Sequence, residues 1–222
     1  SLKYIIKSLR KNIIAPLNQI GDVDIFFHSW DVSIINNPRA NEKDIVVDPY
    51  EVSLFLPEAG GIFESQSEFD SSFDWEPLFK RNPMKHFSGS EQEARITLMN
   101  FRRALESAER AWLFFQKNKT KNYKQIIVTR PDLKFLHPLE VDRIEKIIDN
   151  QNKHSRFLIV PGFHCWGGVN DRFAFGKENE ISVWCQRTAF ADGWLLKAEN
   201  ENPEWLLMQW LRRNQTAPIF IN

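Results

Sequence analysis

The stretch that decides the fold is Gln125-Ile-Ile-Val-Thr-Arg-Pro-Asp-Leu-Lys-Phe135. Its apolar, β-branched part, residues 126–128, predicts a strand whose two faces are both covered. Pro131 ends this strand, and Arg130 and Asp132 flank the proline. Because open α/β sheets bind their ligands beyond the carboxyl ends of the strands, we expect Arg130 and Asp132 to face a phosphorylated ligand.

Strand and helix patterns alternate along the rest of the chain. We expect an α/β fold, with a single Rossmann-like domain over residues 1–222 and a mostly parallel central sheet flanked by helices. The other expected strands are at residues 23–27, 156–161, 173–176 and 217–221. The expected helices are at residues 2–15, from 91 onward, after 137–138, at 178–192 and at 203–213.

The clearest helix begins at a capping box, Ser90-Glu91-Gln92-Glu93. Apolar residues recur every three or four positions from Ala94 to Phe115, which predicts one buried face. Charged residues fall on the remaining surface and are expected to lie mostly in solvent: Arg102, Arg103, Glu106, Glu109 and Arg110.

Residues 32–90 are predicted to form an irregular excursion. Prolines and Gly60-Gly61 interrupt the segment, and only residues 51–56 indicate a regular element. Its aromatic residues have apolar surface to bury, which argues against disorder. Two interpretations stay open: a partly ordered cover over one side of the site, or a surface loop packed on its own aromatic residues.

Charge and cysteine content restrict the class of protein. Basic and acidic residues number 29 each, and this balance gives no reason to expect a nucleic-acid partner. No apolar run reaches the ~18 residues that indicate a membrane span. Cys165 and Cys185 form no disulfide framework or metal spacing, so we expect a reducing, cytoplasmic compartment.

Phosphate-binding glycine loops, a nucleophile elbow and an HExxH motif are missing from the sequence, so the common ATPase, dehydrogenase and hydrolase classes have no support.

Three predicted strands are followed by polar residues. The three segments are His28-Ser29-Trp30-Asp31, Thr129-Arg130-Pro131-Asp132 and residues 162–172. If the strands are parallel neighbours, these segments share one edge of the sheet, which indicates a site there.

Asp132 is the candidate metal ligand, because its carboxylate oxygens suit Mn²⁺ or Mg²⁺ shared with substrate phosphates. Arg130 is suited to bind phosphate oxygens through its forked guanidinium. The alternatives are a turn carboxylate after Pro131 for Asp132, and simple pairing of Arg130 with Asp132 or another acid.

Asp171 is the candidate catalytic residue, either as the base for an acceptor hydroxyl or as a hydrogen-bond partner of sugar hydroxyls. A salt bridge to Arg172 or Arg187 is the alternative.

Gly167 and Gly168 permit close approach of a ligand, or an ordinary tight turn. Tryptophans could stack on a base or sugar ring or belong to the core, and a lone histidine is more often structural. The full candidate donor-binding set is His28, Trp30, Asp31, Arg130, Asp132, Trp166, Gly167, Gly168 and Asn170.

Two motifs together resemble a known family. They are Val128-Thr-Arg-Pro-Asp-Leu-Lys-Phe135 and Trp166-Gly-Gly-Val-Asn-Asp-Arg-Phe-Ala-Phe-Gly176, and residues 24–31 fit the same pattern. The chain is similar to the GT-A-type glycosyltransferase domains of chloroviruses, which are large DNA viruses of algae, and of related bacterial polysaccharide enzymes.

The resemblance implies a GT-A-like domain that transfers a sugar from a nucleoside diphosphate donor, such as a UDP-sugar, to a glycan acceptor. It also implies a divalent cation, Mn²⁺ or Mg²⁺, and the host cytoplasm as the location if the protein is viral. Residues 130–132 stand where such domains carry an Asp-x-Asp metal motif. Arg130 replaces the first aspartate, so only Asp132 is kept as a ligand.

Two other functions are weighed beside the glycosyltransferase. A non-catalytic module would bind nucleotide sugars or glycans in the same cleft without turnover. A nucleotidyltransferase would need a glycine-rich, basic phosphate loop near the start of the sequence, and none is recognisable.

Overall fold

The computed structural model describes residues 2–81, 89–151, 156–197 and 202–221. Helices and strands alternate in these parts of the chain, which confirms the α/β class. The helices are α1 (Ile6–Leu9), α2 (Ala15–Asn18), α3 (Glu51–Phe55), α4 (Gln66–Ser72), α5 (Glu76–Arg81), α6 (Glu91–Asn118), α7 (Val141–Asp149), α8 (Glu178–Cys185), α9 (Thr188–Leu195) and α10 (Pro203–Arg213). The strands are β1 (Phe26–Asp31), β2 (Ile34–Asn37), β3 (Glu42–Val46), β4 (Gly60–Ser65), β5 (Ile126–Thr129), β6 (Phe157–Pro161), β7 (Phe173–Gly176) and β8 (Ala217–Ile221). None of the described helices combines the length and apolarity needed to cross a membrane.

The central sheet is mixed, so the prediction of a mostly parallel sheet is wrong. Its order is β5-β7-β6-β8, and β7 runs antiparallel to both of its neighbours, while β6 and β8 are parallel. Only residues 162–172 join β6 to β7. A parallel connection needs a crossover of a dozen or more residues, usually a helix, so this short loop turns the chain back on itself.

Both faces of the central sheet are covered, as the apolar strands predicted. Leu158 and Val160 of β6 face a cluster formed by α6, α8 and α10, whereas Ile159 packs on the opposite face with Ile13 and Ile144. All three β6 residues are fully buried. Alternate residues of a strand point to opposite faces, so one continuous apolar run serves both layers.

The predicted irregular excursion is ordered in its described part, residues 32–81. Strand β4 pairs in parallel with β1, from Phe26 opposite Gly60 to Asp31 opposite Ser65. Strands β2 and β3 form an antiparallel hairpin, and α3 confirms the one element that the sequence indicated. Residues 82–88 of the predicted excursion lie outside the described residues. The two glycines that were expected to interrupt regular structure, Gly60 and Gly61, are the first residues of β4.

The first helix continues past the expected end at Pro16, as far as Asn18. A π-helical turn, Arg10–Ile14, precedes the proline. Proline has no N–H to donate to the carbonyl four residues earlier. That carbonyl, of Asn12, accepts instead from the Leu139 amide at 2.7 Å, so a tertiary hydrogen bond compensates the missing helical one.

The charged side of α6 is packed and not solvated as predicted. Arg102 is 5% exposed and contacts carboxylate oxygens of Asp192 and Glu106, each at 2.7 Å. Arg103 makes two hydrogen bonds, of 2.9 and 2.6 Å, to Asp70. Helix α4 supplies Asp70 and helix α9 supplies Asp192, so periodicity alone could not show that these helices cover this side of α6.

Candidate functional site

The carboxyl ends of β5, β6 and β8 lie at one edge of the central sheet, together with the amino end of β7. The Arg130 amide donates to the Arg172 carbonyl at 3.1 Å, and the Gly162 amide donates to the Ile221 carbonyl at 2.7 Å. The segment after β5 and the edge loop, residues 162–172, therefore lie side by side, as the sequence predicted.

Asn170 holds the edge loop together. Its side chain is 2% exposed; Nδ2 donates to the Phe163 carbonyl at 2.9 Å, and Oδ1 accepts from the Arg172 amide at 2.9 Å. The predicted donor-binding role of this side chain is replaced by an internal one, because both of its polar atoms are used within the loop.

Gly168 packs against the start of α10. A Cβ added there would lie 2.1 Å from the Glu204 carbonyl oxygen, and the next amide, of Val169, donates to that oxygen at 3.0 Å. The close approach that the sequence suggested for a ligand is thus made by the protein's own backbone. Gly167 differs, since it is exposed with φ +83° and nothing within 4 Å of its added Cβ.

Trp166 is held in solvent by an unusual backbone. Its φ is 43° and its exposed fraction is 67%, and His164 has φ 51°. Left-handed backbone is unfavourable for a bulky residue and concentrates at functional sites. Trp166 is therefore available as a stacking surface at this edge.

Arg130 and Asp132 form a surface ion pair beside the edge loop. Nε and Nη2 of Arg130 contact the two carboxylate oxygens of Asp132 at 3.0 and 2.5 Å. Burial lowers the pKa of Arg130, but the hydrogen bond and charge of Asp132 and the charge of Asp171 raise it by more. The structure shows the alternative that the sequence left open, simple pairing of Arg130 with Asp132.

Asp171 lies among charges without a direct ion pair. It is half-buried, and its charge acts on Arg130, Arg187 and Glu204. In the ranges that the structure describes, no Lys, Arg or His nitrogen lies within 4.0 Å of its carboxylate. The salt bridge to Arg172 or Arg187 considered from the sequence is therefore not formed.

Two buried residues at this edge were not predicted as site residues. Arg187 is 5% exposed and Glu204 is 6% exposed. Burial raises the pKa of Glu204, the charge of Asp171 adds to this, and Arg172 and Arg39 oppose it. Pro203 marked the start of α10 in the sequence, but nothing there indicated that the acid of its first turn would face Asp171.

His28 lies inside β1 and is enclosed by neighbouring elements. Its Nδ1 is 2.8 Å from Ser107 Oγ, its Nε2 is 3.1 Å from Glu64 Oε2, and its side chain is fully buried. Burial lowers the pKa of His28 to about 4, the charge of Glu64 opposes this, and that of Arg110 adds to it. The structure therefore favours a structural role for His28, which was the alternative to ligand binding.

Trp30 also belongs to the packing around β1. Its Nε1 donates to the Arg103 carbonyl at 3.3 Å, and its ring centroid lies 5.1 Å from that of Phe69. Asp31 is exposed, and its hydrogen bond raises the pKa of Tyr50. Within the described residues, no hydrogen bond, ion pair or ring contact joins the 28–31 segment to Arg130, Asp132 or Asp171.

Strand β1 is joined to the start of β5 just before it begins. Asp24 accepts from Tyr123 Oη at 2.6 Å and pairs with Lys121 at 2.9 Å, so the amino ends of β1 and β5 lie close together. The β2–β3 hairpin follows β1 and carries Arg39, whose charge acts on Glu204. Arg39 lies outside the predicted segment, residues 28–31, so the placement of that segment at the site stays a prediction.

A divalent cation at this edge would have Asp132 as its protein ligand. Among the described residues, no group of three His, Cys, Asp or Glu side chains could hold a metal by itself. Mg²⁺-type sites often use one carboxylate and complete the shell with substrate phosphates and water. Asp132 fits that arrangement only if Arg130 releases its oxygens.

Comparison with protein-family models and with curated protein sequences found no match.

Proposed function

We propose that the protein is a glycosyltransferase with a GT-A-like domain, which moves a sugar from a nucleoside diphosphate donor to a hydroxyl of a glycan acceptor. The observation that carries this proposal is Asp171, a half-buried carboxylate with no ion pair among the described residues, whose charge acts on Arg130 and Arg187 at the edge where α/β sheets bind ligands. A base and cations are the two kinds of group that the transfer needs.

The chemistry divides between these groups. The acceptor oxygen forms a bond to the anomeric carbon, the bond from that carbon to the diphosphate breaks, and the electron pair leaves with the diphosphate. Asp171 accepts the proton of the acceptor hydroxyl, which makes the oxygen a better nucleophile. Arg130 stabilises the negative charge on the departing diphosphate.

A divalent cation, Mn²⁺ or Mg²⁺, would supply further stabilisation of that charge when it is held by Asp132. We propose that Arg130 moves from Asp132 to a donor phosphate on binding, since both partners are exposed, with 49% and 59% of their side chains accessible. Cys165 and Cys185 are free, which supports the proposed cytoplasmic location.

The test is a purified protein incubated with UDP-sugars, with Mn²⁺ or with a chelator, while UDP release and product are measured. We expect Asp171→Asn to lower turnover by about 10²-fold or more while the Kd for the UDP-sugar stays within a few-fold. Asp142→Asn, at an exposed position on α7, is the matched control and should keep full activity.

Two results would change the conclusion. Binding of a nucleotide sugar without turnover by any acceptor would favour the non-catalytic binding module. Absence of binding by every nucleotide sugar would end the proposal.

A further inference from the structure

Two arginines of this protein are buried to the same extent but differ in their partners. Arg102 and Arg187 are each 5% exposed. Arg102 contacts the carboxylates of Asp192 and Glu106 at 2.7 Å. Arg187 has no carboxylate oxygen within 4.0 Å among the described residues, and its hydrogen bond goes from Nη1 to the Trp184 carbonyl.

An unpaired buried cation is unfavourable, because it loses hydration and gains no opposite charge. Burial accordingly lowers the pKa of Arg187, against the more distant charge of Asp171. Arg187 lies at the break between α8 and α9, with its guanidinium 5.3 Å from the Trp184 ring. Among the residues that the structure describes, this buried cation therefore has no carboxylate in contact with it.

The remaining Arg187 nitrogens keep access to solvent. Among described side chains of limited exposure, the fully buried polar atoms without a hydrogen bond are Gln125 Oε1 and His28 Nε2, of which the second is within ion-pair distance of Glu64. No Arg187 nitrogen belongs to that group, so those without a hydrogen bond are not sealed inside. The Trp184 ring beside the Arg187 guanidinium belongs to the same core cluster as Val169 of the edge loop, and the charge of Asp171 acts on both Arg187 and Arg130. The donors without a hydrogen bond therefore lie near the candidate site.

Arg130 is less suited to be the main anion ligand. Both of its forked contacts are already made with Asp132, and its side chain is half exposed. A guanidinium that is buried and unpaired gives a stronger interaction with an incoming anion than one that must first leave a carboxylate.

We propose that Arg187 is the anion receptor of this edge and binds a phosphate or diphosphate group of the ligand. The anion forms charge-assisted hydrogen bonds with the open guanidinium donors and supplies the negative charge that the described surroundings of Arg187 lack. Its identity as the diphosphate of a nucleotide sugar rests on the proposed function, but binding of the anion does not.

The probe is inorganic pyrophosphate, measured by calorimetric titration and by thermal unfolding, with sodium chloride at equal ionic strength as the blank. We expect pyrophosphate to raise the Tm of the native protein. Arg187→Met should weaken the affinity by at least about tenfold, and Arg187→Lys, which keeps the charge but loses the fork, should lie between the two.

Two controls separate binding from folding. Without pyrophosphate, Arg187→Met should unfold at an equal or higher temperature than the native protein, because an uncompensated buried charge has been removed. Arg143→Met, at an exposed arginine paired with Glu140 on α7, should leave the pyrophosphate affinity unchanged.

Asp171→Asn distinguishes the proposal from a purely internal pairing. We expect it to increase pyrophosphate affinity, because a negative charge near the anion is removed. Pyrophosphate binding that is absent, or equal in the native protein and Arg187→Met, would overturn the inference. Pyrophosphate binding that depends on Arg187, without any sugar transfer, would support the anion receptor and contradict the proposed glycosyltransferase function. Sugar transfer together with unchanged pyrophosphate binding in Arg187→Met would support the glycosyltransferase function and contradict the anion receptor.

Discussion

Arg102 connects α6 to α9 through an ion-paired network. Replacing it by methionine leaves Asp192 without its cation and Glu106 with Arg110 as its remaining partner, both in partly buried positions. Removal of one partner of a buried pair is strongly destabilising, so we expect Arg102→Met to lower the free energy of unfolding by about 3–5 kcal/mol. Urea denaturation measures this, with Arg143→Met expected to change stability by no more than about 0.5 kcal/mol. Equal effects of the two variants would contradict the assigned role.

His28 makes stability dependent on pH. Burial lowers its pKa to about 4, whereas an unfolded histidine titrates near ~6.5. Between these pH values the unfolded state binds more protons, so the free energy of unfolding falls as the pH is lowered from 7 to 4. We expect this residue to contribute a loss of about 3 kcal/mol over that interval.

His28→Gln is the matched variant, because it keeps a polar group between Ser107 and Glu64 without the titration. Denaturation at pH 7, 5.5 and 4 should give a shallower pH dependence for this variant than for the native protein. The same slope in both proteins would show that His28 is not the group responsible.

At the level of elements, the contact between the edge loop and α10 places the candidate site. Gly168→Ala would bring a Cβ to 2.1 Å from the Glu204 carbonyl oxygen, so the loop must move away from α10. We expect a loss of about 1–3 kcal/mol in unfolding free energy, as for other overpacked positions, and weaker binding at the edge.

Gly21→Ala is the control for the glycine substitution, since nothing lies within 4 Å of its added Cβ. Chemical denaturation of both variants, with pyrophosphate titration of each, provides the comparison. If Gly168→Ala and Gly21→Ala gave the same results in both measurements, the edge loop would not need the close contact between Gly168 and α10.

At the level of the whole molecule, β6 and β7 are the most protected of the described strands. Leu158, Ile159 and Val160 are fully buried between two clusters, whereas β3 is mostly exposed in the hairpin of residues 34–46. Backbone amides of buried strands exchange only through larger openings than those of exposed hairpins. We expect hydrogen exchange to be slowest in β6 and β7 and much faster in β3. Equal exchange rates in β6 and β3 would contradict this core assignment.

Local sequence patterns were sufficient where a single element decided its own form. The capping box at Ser90, the proline that opens α10 and the apolar run of β8 each predicted the element that the structure contains. The motif around Arg130 and the edge loop also lie together, because both directly adjoin strands of one sheet. These predictions needed only backbone chemistry and short-range periodicity.

The tertiary structure alone decided the direction of β7, the pairing of β4 with β1 and the partners of each charge. Sequence reasoning placed the α6 charges in solvent and His28 in a ligand site, but α4, α9 and β4 enclose them. Arg102 and Arg187 are the same residue type and equally buried, but within the described parts of the chain only Arg102 contacts carboxylates. The physical reason is that burial and ion pairing depend on which distant segments approach a side chain, and no local pattern contains that information.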